Sequence, residues 1–260
     1  MAFLTMSMFS SALQMDTNVS VLLPEHRRGG AEKLEPEKKY PVIYCLHGHG
    51  DDHTAWIRKS CIETVARQYE AIVVMPTVQR GYYTDSQNGL DYFTYITEEL
   101  PIRIANYFPI SIEKKDTFLI GNSMGGYGAL KAALTKPEQY AAVYALSPAL
   151  PEYFHQNDDD FGHLIRRLFG SFEDLLKSDN CLKNLIAKRT ASSDGQPAIT
   201  FCCGKDDALA YGSFLLLKSY FKEAGGAMSY AEHDTSGGHD WDFWNPEIKA
   251  AIESFGLKKL

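Results

Sequence analysis

One peptide of this chain carries the residue types of nucleophilic catalysis at a telling spacing. It is Gly121-Asn122-Ser123-Met124-Gly125, a G-x-S-x-G pattern. The apolar run Phe118-Leu119-Ile120 enters it, and the Ala/Leu-rich stretch from Gly128-Ala129-Leu130 leaves it. This is the strand, turn and helix that the motif needs if Ser123 is to project its hydroxyl clear of a sheet. The two glycines then stand where strand and helix approach too closely for a Cβ atom. The start of the helix adds a positive field where a tetrahedral oxyanion would form.

A serine needs a base, and the base needs an orienting carboxylate. Four histidines follow Ser123. His155 and His163 precede the place expected for the acid, and His233 ends an apparent strand over 228–232. His239 lies in the flexible loop Ser236-Gly237-Gly238-His239-Asp240-Trp241 and is the better-placed base. For the acid, the apolar run 199–203 leads into Gly204-Lys205-Asp206-Asp207. Adjacent aspartates point in different directions, so one of them serves. Asp207, nearer the following helix, is preferred, and Asp206 reads as a solvated or helix-capping residue.

A third peptide, His47-Gly48-His49-Gly50-Asp51-Asp52-His53, admits two readings. As an H-G-x-G turn after a strand, it supplies the His49 N–H to an oxyanion hole whose second donor is the Met124 N–H. As metal chemistry, it misses the spacing H-x-H-x-D-H by one residue and leaves the serine peptide unexplained. The first reading is preferred, and no metal is expected.

These groups must be held by a scaffold. Alternation over residues 3–9 and 19–23 suggests two paired strands, followed by an exposed loop over 24–39. Continuous apolar runs at Val42–Leu46, 71–75, 117–120, Ala142–Leu146 and 198–203 read as strands covered on both faces. Helical patterns at 54–68, 92–108, 124–136 and 208–224 lie between them. The alternation predicts a mostly parallel sheet with helices on both faces. Residues 151–195 break the rhythm with three short helical patterns and read as a cap-like insertion or an oligomer contact within one α/β domain spanning 1–260.

Composition narrows the function classes. The chain has 260 residues, 45% apolar and 23% charged, within the range of one large globular core. With 26 Lys+Arg against 33 Asp+Glu and no basic run, it is a poor partner for nucleic acid or an anionic membrane. The five cysteines, 45, 61, 181, 202 and 203, show no CxxC, and Cys202 and Cys203 would alternate faces of a strand. The first sixteen residues read poorly as a signal peptide, and no apolar run is long enough to span a bilayer. A cytoplasmic enzyme is expected. Tyr82, Tyr83, Trp241 and Trp244 are candidate walls of a small ester pocket.

Taken together, the chain resembles the esterase D-like branch of the α/β-hydrolases, and within it the bacterial tributyrin esterases. The resemblance runs along nearly the whole chain. It is carried by Leu46-His47-Gly48 with Trp56, by Arg80-Gly81-Tyr82-Tyr83-Thr84-Asp85, and by Tyr92-Phe93-Thr94 with Glu98-Glu99-Leu100-Pro101. The elbow Gly121–Ala129, Gly204-Lys205-Asp206-Asp207 and His239-Asp240-Trp241-Asp242-Phe243-Trp244 complete it. It implies an α/β-hydrolase fold and a cofactor-free carboxylesterase acting on short-chain acyl esters. It also implies a Ser–His–Asp triad whose acid is the fourth residue of G-x-x-D, here Asp207. Relatives of that branch include S-formylglutathione hydrolases, feruloyl and acetyl-xylan esterases and mycolyltransferases. The formylglutathione hydrolases carry a Cys- and Thr-containing loop after the oxyanion glycine, where this chain has His49-Gly50-Asp51-Asp52, which weakens the thioesterase expectation.

Overall fold

The computed structural model describes residues 1–25, 37–86, 89–157, 159–190, 195–225 and 228–260. Most of the loop expected over 24–39 lies outside them. The sheet has eight strands: β1 (Ala2–Ser10), β2 (Met15–Leu23), β3 (Val42–Leu46), β4 (Ile72–Pro76), β5 (Thr117–Asn122), β6 (Ala142–Leu146), β7 (Ala198–Gly204) and β8 (Tyr230–Thr235). Their order is β1-β2-β4-β3-β5-β6-β7-β8, antiparallel over the first pairings and parallel from β4 to β8. This is the mostly parallel sheet that the alternation of patterns predicts, and it has the α/β-hydrolase fold that the resemblance implies.

The apolar runs follow from burial on both faces. Every residue of β3, β4 and β5 is buried. Alternate residues of β3 enter opposite cores: Val42, Tyr44 and Leu46 belong to the core that holds Tyr95, Leu130 and Phe214, whereas Ile43 and Cys45 belong to the core that holds Trp56, Trp244 and Phe255. Cys203 and Cys202 divide between the two cores in the same way, and all five cysteines are free thiols.

The helices are α1 (Ala55–Lys59), α2 (Ile62–Ala66), α3 (Tyr92–Thr94), α4 (Leu100–Tyr107), α5 (Met124–Thr135), α6 (Pro151–Phe154), α7 (Asp160–Phe169), α8 (Phe172–Lys177), α9 (Leu182–Thr190), α10 (Tyr211–Glu223) and α11 (Trp241–Ser254). Two single helices expected from the sequence are interrupted. The 54–68 pattern breaks at Ser60, whose backbone is extended, and Asn245 Oδ1 accepts the Cys61 N–H at 2.7 Å. In the 92–108 pattern a π-helical segment, Tyr95–Glu99, joins α3 to α4. It lies just before Pro101, which lacks the N–H needed to continue a regular ladder.

The topology itself marks a crevice. From β3 the chain moves outward to β4, then returns to place β5 on the other side of β3. The carboxyl ends of β3 and β5 thus diverge at a switch point, where open α/β sheets bind ligands. The peptide 47–53 leaves β3 there and the serine peptide leaves β5. The segments carrying Asp207 and His239 leave β7 and β8 at the same edge.

Helices α6–α9 fill the interval between β6 and β7, but they do not all cap the sheet. Leu182, Leu185 and Ile186 of α9 are buried in the core shared with α5 and α10, and Arg189 Nε donates to Leu134 O at 2.7 Å. On α6, Glu152 is 6% exposed and Cys181 Sγ lies 3.6 Å from its Oε1. Burial pushes this carboxyl up to about 7, against opposing hydrogen bonds from Cys181 and the Leu182 N–H. A folded-state value above the unfolded one favours the fold at low pH, and that contribution is lost as pH rises from the unfolded value of 4.5 through about 7. Glu152→Gln should therefore raise Tm over the parent chain more at pH 8.5 than at pH 4.5. Equal shifts at both pH values in calorimetry would contradict the burial argument.

Candidate active site

The turn after β5 forces Ser123 into the left-handed region, at φ 53° and ψ −118°. Close packing imposes this. A Cβ on Gly121 would lie 2.0 Å from Gly125 O, and one on Gly125 would lie 2.1 Å from Leu46 O. Side chains at either position would push the strand, the helix and the end of β3 apart. Ser123 N donates to Leu146 O at 2.8 Å, which fixes the turn to β6. A serine before a helix commonly folds back to cap it, but this hydroxyl makes no cap bond. Instead it lies 3.0 Å from His239 Nε2.

His239 Nδ1 lies 2.7 Å from Asp207 Oδ2. Ser123, His239 and Asp207 therefore form one continuous hydrogen-bonded line, although they come from three segments far apart in sequence. Asp207 is 1% exposed, and its other oxygen accepts the Leu209 and Ala210 N–H groups at 3.1 and 2.7 Å. Burial acts to raise its carboxyl, but hydrogen bonding to His239, the charge of that ring and the Ala210 N–H outweigh it and hold the group below its ordinary range. The acid stays ionised, so it fixes the imidazole with Nδ1–H toward itself and Nε2 toward the serine.

Asp206 takes a different place. It is exposed, and its Oδ2 accepts from Ser236 Oγ at 3.0 Å and from Gly237 N at 3.1 Å. It is neither a helix cap nor merely solvated, because it ties the acid loop to the loop carrying His239. His233 lies in β8 beyond the strand end expected from sequence, and its Nε2 is 2.9 Å from Glu247 Oε2. That hydrogen bond raises its pKa against the effect of burial. Tyr144 Oη donates to the same carboxylate oxygen at 2.6 Å. Cys202, His233 and Glu247 come within 4.8 Å of one another, a cluster already joined by hydrogen bonds.

The peptide 47–53 does not gather its side chains around a common point. His47 Nε2 accepts the Val78 N–H at 3.0 Å, so Nδ1–H donates to Gly48 O at 2.8 Å. Burial lowers its pKa. Arg80 Nε donates to His49 Nε2 at 2.9 Å, and burial followed by the Arg80 charge lowers His49 as well. His53 Nδ1 bonds Ser20 Oγ at 2.7 Å, Asp52 accepts from Thr54 N, and Asp51 pairs with Lys59. The backbone is the useful part. Met124 begins a helix, so its N–H has no intrahelical acceptor. Among the described residues no backbone acceptor takes the His49 N–H.

The aromatic residues expected to wall a pocket are packed instead. Tyr82 and Tyr83 are both 0% exposed. Tyr82 Oη donates to Ala149 O at 2.8 Å and Tyr83 Oη to His47 O at 2.9 Å. Trp244 is buried with its ring edge-on to His239 at 4.9 Å, and Trp241 is wedged between Trp244 and Trp56. Of the four, only Trp241 keeps partial exposure. From the insertion, Phe161 sets its ring against His49 at 5.1 Å.

Two contacts with the acid had no sequence signal. Ser147, fully buried at φ 45°, accepts the Trp244 indole N–H at 3.1 Å and hydrogen-bonds Asp207. Cys203 Sγ lies 3.6 Å from Asp207 Oδ2.

Comparison with known proteins identifies the family. Residues 10–255 match the family model Esterase, described as "Putative esterase". The chain belongs to the Esterase family and is a carboxylic ester hydrolase. It is 29% identical to an acetyl esterase of Caldicellulosiruptor saccharolyticus over 97% of each chain. Among solved structures it is similar to fluorophosphonate-binding serine hydrolase F of Staphylococcus aureus, with a TM-score of 0.86, 28% identity and 98% of each chain covered. An S-formylglutathione hydrolase from the same organism gives a TM-score of 0.83 at 28% identity over 98% of each chain. No helix among the described residues of this esterase is long and apolar enough to cross a membrane.

Replacing each aspartate in turn separates their roles. Asp207→Asn should lower kcat/KM for p-nitrophenyl acetate by about 10⁴-fold, because the amide reverses the tautomer demanded of His239. Asp206→Asn loosens only a loop tether and should lose less than about tenfold. Equal losses would reject this assignment.

Proposed function

We propose that this esterase hydrolyses short-chain acyl esters of small molecules by a Ser–His–Asp mechanism that passes through an acyl-enzyme. The observation that carries the reading is the line from Asp207 Oδ2 through His239 to Ser123 Oγ, with distances of 2.7 and 3.0 Å. His239 Nε2 takes the hydroxyl proton as Ser123 Oγ attacks the ester carbonyl. The carbonyl oxygen becomes an oxyanion held by the N–H groups of His49 and Met124. Collapse expels the alcohol, which leaves with the proton from His239. Water then enters and attacks the acyl-serine as it gives a proton to the same nitrogen. Collapse breaks the Ser123 Oγ–acyl bond, His239 returns the proton to Ser123 Oγ, and the carboxylic acid is released. No step calls for a metal or an organic cofactor.

The acyl preference rests on the acetyl esterase relative and on the aromatic crowding around the oxyanion loop, where Phe161 and His49 meet. Ser123→Ala should leave a folded protein whose kcat for p-nitrophenyl acetate or butyrate falls on the order of 10⁶-fold. A fluorophosphonate probe should label the parent chain at Ser123 and fail to label the variant. Esters from acetyl to octanoyl, together with methyl ferulate and S-formylglutathione, define the range, with the highest kcat/KM expected from acetyl to butyryl. Turnover surviving in the variant, or a maximum at ferulate, octanoate or the thioester, would overturn the corresponding part of this reading.

A further inference from the structure

The turn after β4 contains two consecutive residues, Tyr82 and Tyr83, with φ values of 52° and 51°. Neither is glycine, and both are completely buried. The left-handed region costs an L-residue roughly 1–2 kcal/mol, so the surrounding structure must hold this pair in place.

The hydroxyls explain what that backbone accomplishes. Tyr83 Oη donates to His47 O, the carbonyl immediately before Gly48 and His49. Tyr82 Oη donates to Ala149 O, and Ala149 N donates to Ser123 O at 3.1 Å. Two neighbouring phenols thus grip the two backbone segments that flank the nucleophile, one after β3 and one after β6.

The helix that follows Ser123 is shaped to seat this turn. A Cβ on Gly128 would come within 2.4 Å of the Tyr83 ring, so only glycine admits it. One turn further, Lys131 is 4% exposed and its Nζ donates to Tyr83 O at 3.1 Å. The same ammonium lies 4.5 Å from the centre of the Phe93 ring. Tyr127 packs its ring 5.4 Å from that of Tyr82. Burial lowers the Lys131 amine to about 7, against the raising influence of Asp85 and Asp179. Placing a lysine in such surroundings is costly, and its role there is to hold a strained turn.

The His47 carbonyl is held from two sides. Tyr83 Oη bonds it, and the start of the elbow helix abuts it, since a Cβ on Gly125 would lie 2.7 Å from this oxygen. Its peptide plane sets the course of the next two residues, and so the direction of the His49 N–H.

We propose that Tyr83, fixed by Lys131, is a positioning residue for acyl transfer, aiming the His49 N–H at the developing oxyanion. This rests on the proposed serine-esterase mechanism. Tyr83 touches no reacting atom, so its effect falls on the transition state rather than on ground-state binding.

The test is Tyr83→Phe, which keeps the ring and removes only the hydroxyl. With p-nitrophenyl acetate, kcat should fall about tenfold to a hundredfold while KM stays within about twofold. Inhibition by an alkyl trifluoromethyl ketone, whose hemiketal oxyanion occupies the same hole, should weaken in parallel with kcat. Lys131→Met should lose kcat and ketone affinity in the same proportion to each other. Tyr92→Phe removes another buried phenol, one without a hydrogen-bond partner among the described residues, and should leave kcat and ketone affinity unchanged. Unchanged kcat in Tyr83→Phe would overturn the proposal. So would a fall in kcat and Tm with ketone affinity unaltered, since a purely structural role gives that pattern. Failure of the serine reading itself looks different: the parent chain would not be labelled at Ser123 by the fluorophosphonate probe.

Discussion

The architecture depends on one steric fact, the near-contact of three backbones at the serine turn. Strand β5, helix α5 and the end of β3 meet where Gly121 and Gly125 leave no room for a side chain. That contact holds Ser123 in a conformation L-residues avoid and keeps its hydroxyl off the helix terminus. It also brings the carboxyl end of β3 beside Ser123, so the N–H groups of His49 and Met124 come from adjacent segments. The strand order β4-β3-β5-β6 serves this meeting, because only neighbours in the sheet can supply backbone at such range.

Electrostatics around the turn follow a simple division. Negative charge is admitted at Asp207, where backbone N–H groups and His239 satisfy it despite burial. The imidazoles of His47 and His49 are held toward neutrality by burial, and for His49 also by Arg80. The region where an oxyanion would develop is thus served by fixed backbone dipoles rather than titrating side chains. Dipoles already oriented by the fold need no reorganisation when charge appears.

Much of this is legible in the residues, and where it is not, the causes are physical. The apolar runs locate β3 to β7 because strands buried on both faces lack a competing periodicity. The elbow and the paired aspartates are legible because turn chemistry restricts residue type locally. Periodicity alone carries regular helices through Ser60 and through 95–99, where tertiary contacts and the missing donor of Pro101 decide against an unbroken pattern. Tyr82, Tyr83 and Trp244 look like pocket walls from composition, which says nothing about the direction a ring faces. Nothing local marks Ser147 or Asp206 as braces of the site, since each acquires its role from segments distant in sequence. The break in rhythm over 151–195 suggests one cap-like block, although burial of Leu182, Leu185 and Ile186 makes α9 part of the side layer.

The order in which the chain delivers these pieces has a consequence for its synthesis. Strands β3 to β6 and the serine turn are complete by residue 146, and they pair with one another without help from the later strands. The imidazole that partners Ser123 arrives 116 residues after it, on the loop beyond the last strand to join the sheet. A polypeptide that stops before residue 239 therefore carries Ser123 without the imidazole hydrogen-bonded to it. In this chain the hydrogen-bonded line through Ser123 closes only when the segment after β8 is in place.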